Sequence, residues 1–140
     1  MTRVFISHAG RDTEPAAELQ RWLVEDGHDV FLDRDPQDGI QLGDEWEKRL
    51  HERLRWADAV VCVVTSAYLQ SPWCAAEVGA ARSRGSRMLP VVAESGVVHP
   101  LLRPVQHTNM ERDPAPARRA LSDALRRVEP RWAKRSHRSS

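Results

Sequence analysis

Cysteine is scarce in this chain: Cys62 and Cys74 are the only two in 140 residues. Two thiols in apolar surroundings, with no CxxC spacing between them, cannot supply the disulfide framework of a small secreted domain. A reducing compartment is the expectation. Long apolar runs are missing as well. Nothing approaches the roughly 18–20 consecutive apolar residues that cross a bilayer, and the mean hydropathy is −0.56. Met1-Thr2-Arg3 leads straight into Val4-Phe5-Ile6, without the charged n-region, long h-region and cleavage site of a secretory signal. The expected location is cytoplasmic, with no membrane partner. Phosphate-cradling glycine loops are absent too: neither GxGxxG nor GxxxxGK[ST] occurs, which excludes the dinucleotide fingerprint and the P-loop. The six histidines, His8, His28, His51, His99, His107 and His137, show no HExxH or other ligand spacing. No metal site is expected, and most of them read as surface residues.

What remains is a chain of 41% hydrophobic and 29% charged residues, enough for one compact domain. Its formal charge of +1 divides unevenly. The last ten residues carry Arg131, Lys134, Arg135 and Arg138 and no acid, so the preceding 130 hold 17 basic against 20 acidic residues. Residues 1–130 are therefore assigned to the domain and 131–140 to a disordered basic tail or linker. Four cations without interleaved aromatics favour a solvated linker over a nucleic-acid footprint, and no specific nucleic acid is expected as a partner. Trimming after Pro130 is expected to leave folding and activity intact. Loss of either would contradict the assignment.

Strand and helix signals alternate along the domain. Val4-Phe5-Ile6 is β-prone, and Asp12 or Thr13 can cap a helix with Leu19, Trp22 and Leu23 on one face and a stop at Gly27. Val30-Phe31-Leu32 repeats the strand signal before a turn-rich loop over residues 33–39. Trp46, Leu50 and Leu54 recur on one helical face, and Ala59 to Val64 is a continuous apolar run suited to a strand covered on both sides. Ser71-Pro72 reads as an N-cap with proline at the first helical position. The helix continues through Trp73, Ala76, Glu77 and Ala80 and ends near Gly85. Met88 to Ala93 is a fourth strand, Gln106 to Met110 has room for a short edge strand, and Ala117, Leu121, Leu125 and Val128 form a last amphipathic helix. Such alternation predicts a parallel sheet with helices on both faces. Ligands of such sheets bind beyond the carboxyl ends of the strands, here after residues 7, 33 and 65.

Several chemistries can be weighed there. A phosphorylated receiver would need an acidic cluster after the first strand and an acceptor Asp ending the third, where this chain has Ser7-His8 and Thr65-Ser66. Cys74 with a distant histidine is a conceivable nucleophile pair, but a small thiol early in a helix more often packs. Glu77 lies one turn after Trp73 on the same helical face. Spacing alone favours a solvated glutamate.

Four blocks change that weighting. Phe5-Ile6-Ser7-His8-Ala9-Gly10-Arg11-Asp12, then Val30-Phe31-Leu32-Asp33 with Gly43-Asp44-Glu45-Trp46, then Ala57-Asp58-Ala59-Val60-Val61, then Ser71-Pro72-Trp73-Cys74-Ala75-Ala76-Glu77 together resemble a Toll/interleukin-1 receptor (TIR) domain of the bacterial type over about residues 3–128. The resemblance implies a flavodoxin-like α/β fold with five parallel strands in the order 2-1-3-4-5. It identifies Arg34 to Leu42 with the family's BB loop. It also implies an NAD⁺ glycohydrolase that releases nicotinamide and forms ADP-ribose or a cyclic variant, with NAD⁺ as substrate and no cofactor. In the family's WxxxE pattern the catalytic carboxylate falls on Glu77 and the leading indole on Trp73. The implied pocket is lined by Ser7, His8 and Ala9 and by Asp33, Arg34, Gly43 and Trp46. His8 and Ala9 depart from some active relatives, which carry an aromatic and a basic residue there.

Further expectations come with the resemblance: activation by self-association with other TIR domains, a role as effector in bacterial antiphage immunity, and a trigger from a sensor domain or partner protein. Two alternatives stand beside the enzyme. One is a non-enzymatic TIR–TIR interaction scaffold in signalling. The other, more remote, is secreted interference with host signalling.

Overall fold

In the computed structural model, residues 2–32, 44–102, 108–111 and 113–128 are described, with the side chains of residues 44–46 left aside. The elements alternate as the patterning predicts. Strand β1 (Arg3–Ser7) leads to helix α1 (Thr13–Glu25), β2 (Asp29–Leu32) to α2 (Asp44–Trp56), and β3 (Ala59–Val64) to a short α3 (Ser66–Gln70) and then α4 (Pro72–Ser83). Strand β4 (Arg87–Val92), β5 (Thr108–Asn109) and α5 (Pro114–Arg126) complete the chain. The strands form one sheet in the order β2-β1-β3-β4-β5, every neighbouring pair parallel. This is the flavodoxin-like order expected.

Strand β3 is central, and all six of its residues are buried. Its alternating side chains divide the core in two. Val61 and Val63 join Val4, Ile6, Leu19, Leu23, Leu121 and Leu125 beneath α1 and α5. Val60, Cys62 and Val64 join Phe5, Leu50, Leu54, Tyr68 and Val78 beneath α2, α3 and α4. Burial on both faces explains the lack of polar alternation in AVVCVV. Each fully buried aliphatic side chain contributes about 1.5–3 kcal/mol relative to an exposed one.

The ends of the elements follow their local chemistry. Gly27 and Gly85 take φ of 90° and 70° after α1 and α4, a region costly for a residue with a Cβ, and both helices stop there as predicted. Ser71 caps α4: its Oγ accepts from the Cys74 amide at 3.1 Å, with Pro72 following in the first turn. Ser71→Ala should therefore cost about 1 kcal/mol, read as a lower unfolding midpoint in denaturant, and an unchanged midpoint would refute the cap.

Three local expectations need correction. Asp12 occupies the N-cap position of α1 without capping it; its carboxylate instead accepts from Thr65 Oγ1. Helix α4 buries Glu77, where spacing alone favoured a solvated glutamate. Its buried stripe is Cys74, Glu77, Val78 and Ala81, while Trp73, Ala76 and Ala80 are half-buried beside it. The third concerns histidine: His8 and His99 are buried rather than at the surface. Among the described residues, no helix is long and apolar enough to cross a membrane.

Candidate active site

The site is built where β1 and β3 end. Ser7 is the last residue of β1 and pairs in register with Cys62 of β3. Because side chains alternate along a strand, Ser7 points to the same side as Phe5, toward α3 and α4. There its hydroxyl donates to Glu77 Oε1 at 2.8 Å and lies 2.8 Å from the Tyr68 phenol oxygen. Glu77 is only 2% exposed and Ser7 fully buried. Its place in an otherwise apolar helical stripe sets the carboxylate of Glu77 against the sheet. A carboxylate taken from water needs hydrogen bonds in compensation, and Ser7 supplies one.

Behind them lies a buried polar layer. Tyr68 is fully buried, and burial first, then neighbouring Cys62, Glu77 and Cys74, holds its phenol well above the ordinary tyrosine range despite the hydrogen bond with Ser7. Burial pushes the Cys62 thiol up to about 12, opposed by a hydrogen bond with Tyr68. Cys62 is thus a protonated packing residue, since nucleophilic chemistry requires the thiolate. Cys74 packs in the same apolar cluster, in keeping with the packing reading.

Thr65 fixes this layer to the strand ends. Its Oγ1 donates to Asp12, in the turn after β1, and accepts from the Tyr68 amide at 3.0 Å, capping α3. The edge of His99 meets the Tyr68 ring at a centroid distance of 5.9 Å. On the β1 side, Ala9 and His8 are both buried. His8 Nδ1 is 2.7 Å from the Ala9 carbonyl, an acceptor, so Nδ1 carries the proton. Nε2 has no hydrogen-bond partner among the described residues.

Of the residues predicted for the site, Ser7 and Glu77 are thus in direct contact. His8 and Ala9 follow on the same strand end, and Trp73 lies half-buried one turn before Glu77. Asp33, Arg34 and Gly43 fall outside the described residues, as does the side chain of Trp46, whose backbone belongs to α2. Tyr68 and Thr65 were not anticipated. A usable signal was present: Tyr68 is the sole tyrosine of the sequence, three residues after a threonine that follows an apolar strand.

Comparison with known proteins bears on the family and the fold. The family model described as TIR domain matches residues 4–125. Among solved structures, the TIR domain of the Toll-related receptor TRR-2 from Hydra magnipapillata is 16% identical, with a TM-score of 0.71 over 90% of this chain and 99% of that one. The Clostridium botulinum CMP N-glycosidase BcmB is 19% identical, with a TM-score of 0.63 over 88% and 99% of the two chains. The TIR domains of the activated Roq1 resistosome, which recognizes the pathogen effector XopQ, are 22% identical, with a TM-score of 0.50 over 66% and 57%. At these identities the likeness concerns the fold. No curated protein matches the chain in sequence.

Proposed function

The chain belongs to the TIR domain family, and from that premise we propose that it is an NAD⁺ glycohydrolase whose catalytic residue is Glu77. The observation that carries this reading is the Glu77 carboxylate, 2% exposed and held at 2.8 Å by Ser7 where β1 ends. Burying an acid in a helical stripe costs stability that hydrogen bonds only partly offset, and acids held this way cluster at functional sites. Cleaving the nicotinamide–ribose bond suits a single carboxylate. Enzymes acting on O-glycosides generally need a second acid to protonate the leaving oxygen. Nicotinamide leaves a cationic pyridinium as a neutral molecule and needs no proton. The remaining task is to stabilise positive charge on the ribose and to orient its hydroxyls, which a fixed carboxylate does in a water-poor site. Water, or the adenine ring in a cyclising reaction, then takes the anomeric carbon.

In this reading Ser7, His8, Ala9 and Trp73, with Asp33, Arg34, Gly43 and Trp46, hold NAD⁺. His8 Nε2, without a partner among the described residues, is available to a polar group of the ligand. The low exposure of Glu77 favours activation by opening: substrate reaches the carboxylate when neighbouring TIR domains assemble. The trigger comes from a sensor domain or partner protein, and the effector role in bacterial antiphage defence rests on the bacterial-type motifs alone. A second reading, a TIR–TIR scaffold without enzymatic activity, draws support from the Hydra neighbour, which comes from a receptor.

The N-glycosidase neighbour defines a direct test of substrate. Concentrated protein is incubated separately with NAD⁺ and with cytidine monophosphate, and the released bases are separated by chromatography. Nicotinamide is the expected product. Release of cytosine without nicotinamide would reassign the substrate.

A further inference from the structure

Ser7 has one hydroxyl proton and two oxygen neighbours, Tyr68 Oη and Glu77 Oε1, each at 2.8 Å. That proton goes to Glu77 Oε1. The Ser7 oxygen must then accept, and the Tyr68 phenol is the donor in reach. Tyr68 keeps its proton, because burial holds the phenol well above its ordinary range. The groups facing it are Cys62 from β3, Cys74 and Glu77 from α4, and the His99 ring edge. The thiol of Cys62 behind it is protonated as well. The order of donation therefore runs one way, from Tyr68 to Ser7 to Glu77.

We propose that Tyr68 is a positioning residue for the Glu77 carboxylate, acting through Ser7: the phenol O–H fixes the serine hydroxyl so that its proton stays on Glu77 Oε1. This rests on Glu77 being the group that faces the substrate ribose. Tyr68 itself does not touch substrate. Its own position is set by the Thr65 cap at the start of α3 and by the edge contact with His99. Without the phenol, the Ser7 hydroxyl is free to turn and the carboxylate loses a fixed donor. Chains of hydrogen bonds strengthen one another, so the effect on Glu77 follows the donor strength of a group it does not touch.

Because Tyr68 is the sole tyrosine, biosynthetic 3-fluorotyrosine alters only this position. The fluorinated phenol is more acidic and a stronger donor, whereas Tyr68→Phe removes the donor. The decisive readout is the titration of the Glu77 carboxyl, followed by carbon-13 NMR in the full chain. A donor to the ionised form favours that form. Tyr68→Phe should therefore raise the Glu77 midpoint and fluorotyrosine lower it. In a Ser7→Ala background both effects should vanish. In clustered protein, Tyr68→Phe should lower kcat for nicotinamide release about three- to tenfold, the usual size of one hydrogen bond, with KM unchanged.

Packing alone would not move the midpoint in opposite directions. If neither replacement shifts it, if both shift it the same way, or if the shifts persist in Ser7→Ala, the proposal is overturned. Should Tyr68→Phe fail to fold, the fluorotyrosine arm decides by itself. Absence of nicotinamide release from the parent would overturn the enzymatic reading, while the titration still decides whether Tyr68 acts on Glu77.

Discussion

Glu77→Gln is expected to lower nicotinamide release by about a thousandfold or more, while the unfolding midpoint stays at or above that of the parent. The two halves of this result have different causes. Glutamine keeps the volume, and its amide oxygen still accepts from Ser7, which lies 2.8 Å from Glu77 Oε1. The packing of Cys74, Val78 and Ala81 around it is unchanged. What disappears is the negative charge. Charge fixed in a low-dielectric site is worth far more to a developing cation than the same charge in water, and each 1.36 kcal/mol lost from transition-state stabilisation is tenfold in rate. Stability responds the other way, because a buried carboxylate costs more to desolvate than a buried amide. Nicotinamide release by chromatography and unfolding in denaturant check the two halves. A Glu77→Gln protein that cleaves NAD⁺ at the parental rate would remove Glu77 from the mechanism.

The second large effect concerns the fold that holds this carboxylate. Leu54→Ala is expected to cost about 2–5 kcal/mol, a sizeable share of the roughly 5–15 kcal/mol that holds a domain together. Leu54 is 1% exposed and packs in the apolar cluster that contains Tyr68 and Val78. Its truncation leaves a cavity on the side of the sheet where the site stands. Leu101→Ala removes the same atoms from a side chain that is 39% exposed, so its cost is expected to be far smaller. Denaturant midpoints for the two variants, with an unchanged slope, measure the difference. Equal costs would show that the cluster beneath α2, α3 and α4 is not packed as described.

Much of this architecture was legible in the sequence because the signals were local. The all-apolar run from Ala59 to Val64 announced a central strand, the Ser71-Pro72 pair announced the start of α4, and Gly27 and Gly85 announced two helix stops. The less legible features depend on short elements or distant partners. Helix α3 has five residues and β5 two, too few to display a periodicity. The burial of Glu77 was hidden for another reason. Its hydrogen-bond partner Ser7 is 70 positions away, so no window of sequence contains both. The spacing of Cys74, Glu77, Val78 and Ala81 does hold the information, as a 3-4-7 stripe with one acid in it. The family motif singled out Glu77 as a candidate without giving its environment, and it gave no indication of Tyr68 or Thr65.

The most direct measurement of the central claim is nicotinamide release from NAD⁺ by the same folded protein in two states, dispersed at low concentration and artificially clustered. A carboxylate with 2% exposure has to be uncovered before it can meet a ribose, and assembly is the proposed means. Little turnover from the dispersed domain and steady accumulation of nicotinamide from the clustered one is the predicted result. A clustered, folded sample that leaves NAD⁺ intact would contradict it and leave the interaction scaffold as the reading of this chain.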